Sequence, residues 1–89
     1  MHFFVVDLEF SGFQPGHHEI LELGAAALDA NYALRGEWHA RVAARHPDRA
    51  TDWVREHQAR LLSGGAPLPQ VIGAFVRWVE ALQIGRAHV

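Results

Sequence analysis

The chain has no cysteine among its 89 residues. A disulfide framework and thiolate zinc sites are therefore excluded, and a reducing, cytoplasmic setting is the expectation that fits. Basic charge is not in excess either. The formal net charge is −2, so no overall positive field draws the chain to nucleic acid. No apolar run reaches the roughly 18 residues of a membrane span. Asp7 and Glu9 interrupt the apolar N-terminus before a signal-peptide core is complete, and no membrane partner is expected. Internal repeats and low-complexity segments are missing as well. What is present is the composition of one small globular domain, 49% hydrophobic and 20% charged. A chain this short buries only about 60% of its unfolded surface, enough for one modest core with little reserve.

Three segments read as strands. Residues 3–8 are rich in Phe and Val and predict a buried strand. "SGFQPGHH" (11–18) supplies turn residues. "EILELGAAALD" (19–29) suits a strand with one buried face; its Ala run also suits a helix, but Gly24 favours the strand. "DANY" (29–32) is a tight connection. "LRGEWHARV" (34–42) alternates strictly and is the clearest strand of the chain. After a loop over 43–50, Thr51 and Asp52 are candidate N-caps for a helix over 51–62. Residues 63–69 form another loop. Residues 68–82 predict an amphipathic helix, with Val71, Ile72, Phe75, Val76, Val79 and Leu82 at spacings of three and four. The expected class is α+β: a three-stranded antiparallel meander followed by two helices on one face.

The chemistry is concentrated at Asp7-Leu8-Glu9. Residues i and i+2 of a strand share a face about 6.6 Å apart, so the two carboxylates project together. Two carboxylates held close repel each other and resist desolvation. A divalent cation relieves both penalties. Mg²⁺ sites often use one or two carboxylates with substrate phosphate, and paired Mg²⁺ or Mn²⁺ ions can drive phosphodiester cleavage. The bland alternative is a solvated D-x-E on the surface of a small α+β domain.

"FVVDLEFSGFQPGHHEILELGAAALD" resembles the first motif of the DEDD 3′→5′ exonuclease superfamily, which includes proofreading exonucleases, ribonuclease T and oligoribonuclease. The match runs through Val5, Val6, Asp7, Glu9, Ser11, Gly12, Pro15, Glu19, Ile20, Glu22, Gly24 and Asp29. A looser similarity to oligoribonuclease covers "DWVREHQARLLSGG" (52–65). The resemblance implies an RNase H-like fold, three-layered α/β when complete, with strand order 3-2-1-4-5. It implies that Asp7 and Glu9 are catalytic metal ligands for Mg²⁺ or Mn²⁺. Leu8, Ser11, Gly12 and Phe13 would face the 3′-terminal nucleotide of RNA or single-stranded DNA, and Trp53 would contact a base. Core packing is the alternative for Trp53, and a small hydrophobic plug for Phe13. Trp38 and Trp78 are assigned to the core. His17, His18 and His57 are read as solvated, with substrate contact a lesser option for His57.

The family's second and third motifs, which carry two further Asp residues and a His or Tyr base, have no counterpart in these 89 residues. The expectation is a partial RNase H-like exonuclease domain over 1–82. Residues 83–89 are read as a non-native tail, because "IGRAHV" (84–89) can be encoded by ATC-GGA-AGA-GCA-CAC-GTC, the opening of a common sequencing adapter. The intact parent is expected to be a 3′→5′ exonuclease and a possible homodimer. The chain alone is expected to be inactive, with an unpaired first strand, Phe75 or Trp78 exposed, and non-specific self-association. A catalytically inactive RNase H-like module that binds nucleic acid or protein is the alternative.

Overall fold

The computed structural model describes residues 2–83; the reading of 84–89 as a foreign tail lies outside the described residues. The organising element is strand β2, Ile20–Leu28. Its alternate side chains Leu21, Leu23, Ala25 and Ala27 are all buried, while the residues between them are half-buried. β1 (Phe3–Phe10) and β3 (Leu34–Arg41) pair antiparallel on either side of it, giving the order β1-β2-β3. The meander is therefore as expected, and β1 extends two residues beyond the predicted end.

Local chemistry fixes both connections. Between β2 and β3, the Asp29 carboxylate accepts the N–H groups of Asn31 (2.8 Å) and Ala33 (3.0 Å) and pairs with Arg35 (2.8 Å). That Asx-type turn carries Tyr32 at φ 63°. Between β1 and β2, Ser11 donates its N–H to the Glu19 carbonyl, and its hydroxyl accepts the Glu19 N–H. A bulge sits beside this latch: Glu9 faces Glu22, but Phe10 faces Ile20. The extra residue lets consecutive Ile20 and Leu21 both join the core, one in each of its clusters.

Among the described residues, helices cover only one sheet face. α2 (Leu68–Gln83) sets Val71 and Phe75 against Leu23 and Trp38. Gly36 of β3 admits it closely, since a Cβ there would lie 3.4 Å from Trp78 and 3.6 Å from Leu82. The helix ends one residue past its predicted end, at Gln83. α1 (Asp52–His57) is capped by the Thr51 hydroxyl, which accepts the Val54 N–H. The single helix predicted over 51–62 is instead broken at Gln58 and followed by a 3-10 turn, Ala59–Leu62. The Arg41 guanidinium takes the carbonyls of Arg60 and Ser63 and holds that tighter turn in place. Leu61 enters a cluster with Leu21, Ala50 and Val54. A second 3-10 turn, Pro47–Arg49, lies in the predicted loop.

Two burial expectations are corrected. β1 is the edge strand expected of this chain, with a neighbour on one side only among the described residues, and for that reason it is not buried: Phe3, Val5, Val6, Leu8 and Phe10 are all exposed. Phe75 and Trp78 are half-buried; Trp78 meets the Phe4 ring edge-on at 5.8 Å. The exposed apolar residues of α2 are Leu68, Ile72 and Val76. Trp38 is likewise half-buried, against Phe75. Among the described residues no helix is long and apolar enough to cross a membrane.

Candidate functional site

Directly paired residues of a sheet point to the same face. The register therefore sets two rows on the face without helices: Glu9, Glu22 and Arg41 in one, Asp7, Gly24 and His39 in the next. A Cβ at Gly24 would meet only His39 and the Asp7 carbonyl within 4 Å, which shows how open this face is. Asp7 and Glu9 stand exposed on it, inside β1 rather than at its end.

Glu9 lies opposite another carboxylate, Glu22. Like charges directly across a ladder repel, but Glu22 is occupied. It pairs with His39 Nε2 at 2.9 Å and with Arg60 Nη1 at 3.3 Å. Burial alone would raise its pKa; the hydrogen bonds and charges of His39 and Arg60 outweigh that and hold it below the ordinary glutamate value. Among the described residues, Asp7, Glu9 and, further along β3, Glu37 are the carboxylates of this face with no side-chain partner. Among the described residues no three His, Asp or Glu side chains converge on a common metal position. The donor set is thus two carboxylates. That fits the needs of Mg²⁺ or Mn²⁺ only where water and phosphate complete the shell.

Beside Glu9, at the end of β1, lies a cleft of about 430 Å³. Leu8, Glu9, Gly12, Phe13 and Trp53 all line it, joined by Phe10, Thr51 and Val54. Five of the candidate site residues are thereby brought together; Asp7 and Ser11 are not among the residues that line the cleft. Phe13 is 96% exposed, so it is not a core plug. Trp53 is 59% exposed, and α1 is anchored by Val54 instead. One face of the Trp53 indole stacks on His57, with centroids 4.9 Å apart and planes 19° apart, and His57 Nδ1 lies 3.0 Å from the Trp53 carbonyl. His57 therefore props the indole.

The turn that presents Phe13 is rigidly held. Ser11 is 1% exposed, its hydroxyl committed to Glu19 and its carbonyl to the Thr51 N–H. This tie fastens the end of β1 to the start of α1, and so sets the spacing of the cleft's two walls. Gly12 is buried against the His18 ring; a Cβ there would come within 2.4 Å of it. His18 Nδ1 in turn accepts the Gln14 N–H at 3.0 Å. The Glu19 carboxylate takes the N–H groups of Arg45 and His46, at 2.8 and 2.7 Å, and pins the following loop. Phe10 and Thr51 were not singled out in sequence as cleft residues. The apolar alternation of β1 and the capping role of Thr51 were the visible signals.

No family model matches the chain, and no curated protein matches it.

Proposed function

We propose that the chain belongs to a metal-dependent 3′→5′ exonuclease of RNase H-like fold, of which it supplies the N-terminal part. The observation that carries this reading is the cleft that Glu9 lines together with two solvent-facing aromatic residues, Phe13 and Trp53. A solvent-facing aromatic ring offers a surface on which a nucleic-acid base can stack, worth about 1–3 kcal/mol per base. The substrate is a single-stranded 3′ end, because an unpaired terminal base can enter such a cleft without the cost of opening a duplex.

Each residue has a part. Trp53, propped by His57, stacks on a base. Phe13 forms the opposite wall, on a turn held by Ser11 and Gly12. Leu8 lines the cleft from β1. Asp7 and Glu9 provide oxygen ligands on the exposed sheet face, and Glu22 is kept from competing by His39 and Arg60. A divalent cation held there would supply the charge stabilisation that phosphodiester hydrolysis requires.

A second reading is a module that binds single-stranded ends without cleaving them. The two-carboxylate donor set among the described residues favours it. One experiment addresses both: polarisation of a 3′-labelled oligonucleotide, followed by gel analysis after Mn²⁺ addition. Binding with cleavage supports the exonuclease, binding alone the second reading, and no binding removes both.

A further inference from the structure

Two histidines support the walls of the cleft, and their ring nitrogens meet opposite partners. His57 Nδ1 lies 3.0 Å from the Trp53 carbonyl, so it must be the donor. A further proton, on Nε2, leaves that contact in place. His18 Nδ1 lies 3.0 Å from the Gln14 N–H, so it must be the acceptor and carry no proton. A proton there sets two donors against each other. Turning the ring over brings a C–H to the same place, and an imidazolium has no acceptor nitrogen in any orientation.

What His18 holds is the segment that carries Phe13. The residue before Phe13, Gly12, lies so close to the ring that a Cβ there would come within 2.4 Å of Nε2. The residue after it, Gln14, gives its N–H to Nδ1. The backbone closes the same loop: His17 and His18 donate to the Gln14 carbonyl at 3.1 and 2.9 Å, around Gly16 at φ 82°. Phe13 itself stands in solvent, so packing does not anchor its side chain. Its place on the wall depends on its two neighbours, and hence on the ring they share.

We propose that His18 is a positioning residue for the cleft: its neutral ring fixes Phe13 on the wall, and protonation at Nδ1 releases Phe13 and weakens binding of a single-stranded end. The inference rests on the reading of the cleft as a nucleic-acid site and adds a pH dependence to it. The surroundings offer a charged ring no compensation. His17 meets it edge-on at 4.7 Å, and Phe10, from β1, is apolar. Glu19, next in the chain, has its carboxylate on the N–H groups of Arg45 and His46. Among the described residues no carboxylate forms an ion pair with His18.

The test is polarisation of 5′-labelled oligothymidine by the full chain without divalent cation, from about pH 8 to pH 5, where histidine changes charge. His18→Asn is the matched variant, since it keeps an acceptor oxygen near the position of Nδ1 and cannot be charged. Protonation of other histidines favours the strand in both proteins, so the quantity read is the affinity ratio of wild type to His18→Asn. That ratio should fall about fivefold or more toward acid, the worth of one hydrogen bond. It should stay constant in a Phe13→Ala background and still fall in a His17→Gln background. A readout without nucleic acid is the ¹⁵N spectrum, in which the Gln14 amide should shift as the His18 ring takes up its proton. A ratio constant with pH, an equal fall in the Phe13→Ala background, or a Gln14 amide indifferent to the ring would each overturn the proposal. No binding at any pH would remove the role together with the cleft reading, and a Gln14 amide that still followed His18 would locate the failure in that reading.

Discussion

Glu9 and Glu22 face each other across the β1–β2 ladder, yet only Glu22 is tied to cations, through His39 at 2.9 Å and Arg60 at 3.3 Å. The sheet thus separates two carboxylates by partner and not by distance. One is structural, the other remains open to a ligand.

The Glu22 tie predicts an acid-side effect on stability. Its pKa is lowered on folding, so its stabilisation is complete above the ordinary glutamate value and is lost as pH falls through the lowered one. Thermal melts of Glu22→Gln should therefore differ from wild type at neutral pH and converge with it in acid. His39 and Arg60 are themselves largely solvated, so the neutral-pH difference should stay within about 1 kcal/mol. A difference that grows on acidification would contradict the assignment.

Asp7 and Glu9 are exposed and have no side-chain partner among the described residues, so Asp7→Ala and Glu9→Ala should each change stability by no more than about 0.5 kcal/mol. In a protein carrying the whole exonuclease domain, either change should abolish Mn²⁺-dependent release of 3′ nucleotides. Full turnover in either variant would remove these residues from the metal site. The 89-residue chain itself should bind ends without cleaving them.

The two aromatic walls should matter for binding and not for folding. Trp53→Ala and Phe13→Ala should each weaken single-stranded oligonucleotide binding by about 1–3 kcal/mol while melting near wild type. Val54→Ala, one residue along α1 but buried, should do the reverse and cost about 1–3 kcal/mol of stability. Equal binding by all three variants would show that the cleft is not the binding site.

Gly12 and His18 should couple. Gly12→Ala drives a methyl into the His18 ring and should cost about 1–3 kcal/mol. In a His18→Ala background the same change should cost far less, and a double-mutant cycle by urea unfolding measures the difference. Additive effects would mean that the ring is not what requires glycine there.

Much of the fold was legible because its signals are local. β3 alternates polar and apolar residues, α2 repeats apolar residues every three or four positions, and Asp29 opens a turn with its own side chain. Such patterns follow from backbone period and nearby hydrogen bonds, so they can be read before packing is known. The helix over 51–62 was misjudged for the opposite reason. The 3-10 turn that follows the break at Gln58 is held by Arg41, a residue of β3 distant in sequence. The composition of β1 suggests burial while the missing further strand predicts an edge, and a Phe- and Val-rich run looks the same in either place. Only the number of neighbouring strands separates the two cases.

By itself the sequence determined the strand and helix periods, the D-x-E pair on one strand face, and the turn residues that follow it. The tertiary structure alone decided which carboxylate is free. Cross-strand register set Glu22 opposite Glu9, and His39 and Arg60 then claimed it. It also decided that Phe13 and Trp53, forty positions apart, line one cleft, through the Ser11 carbonyl that takes the Thr51 N–H at 2.9 Å. Periodicity is a property of the local backbone. Partnership between distant side chains exists only once the chain has closed on itself, because pairing energies fall away within a few ångströms.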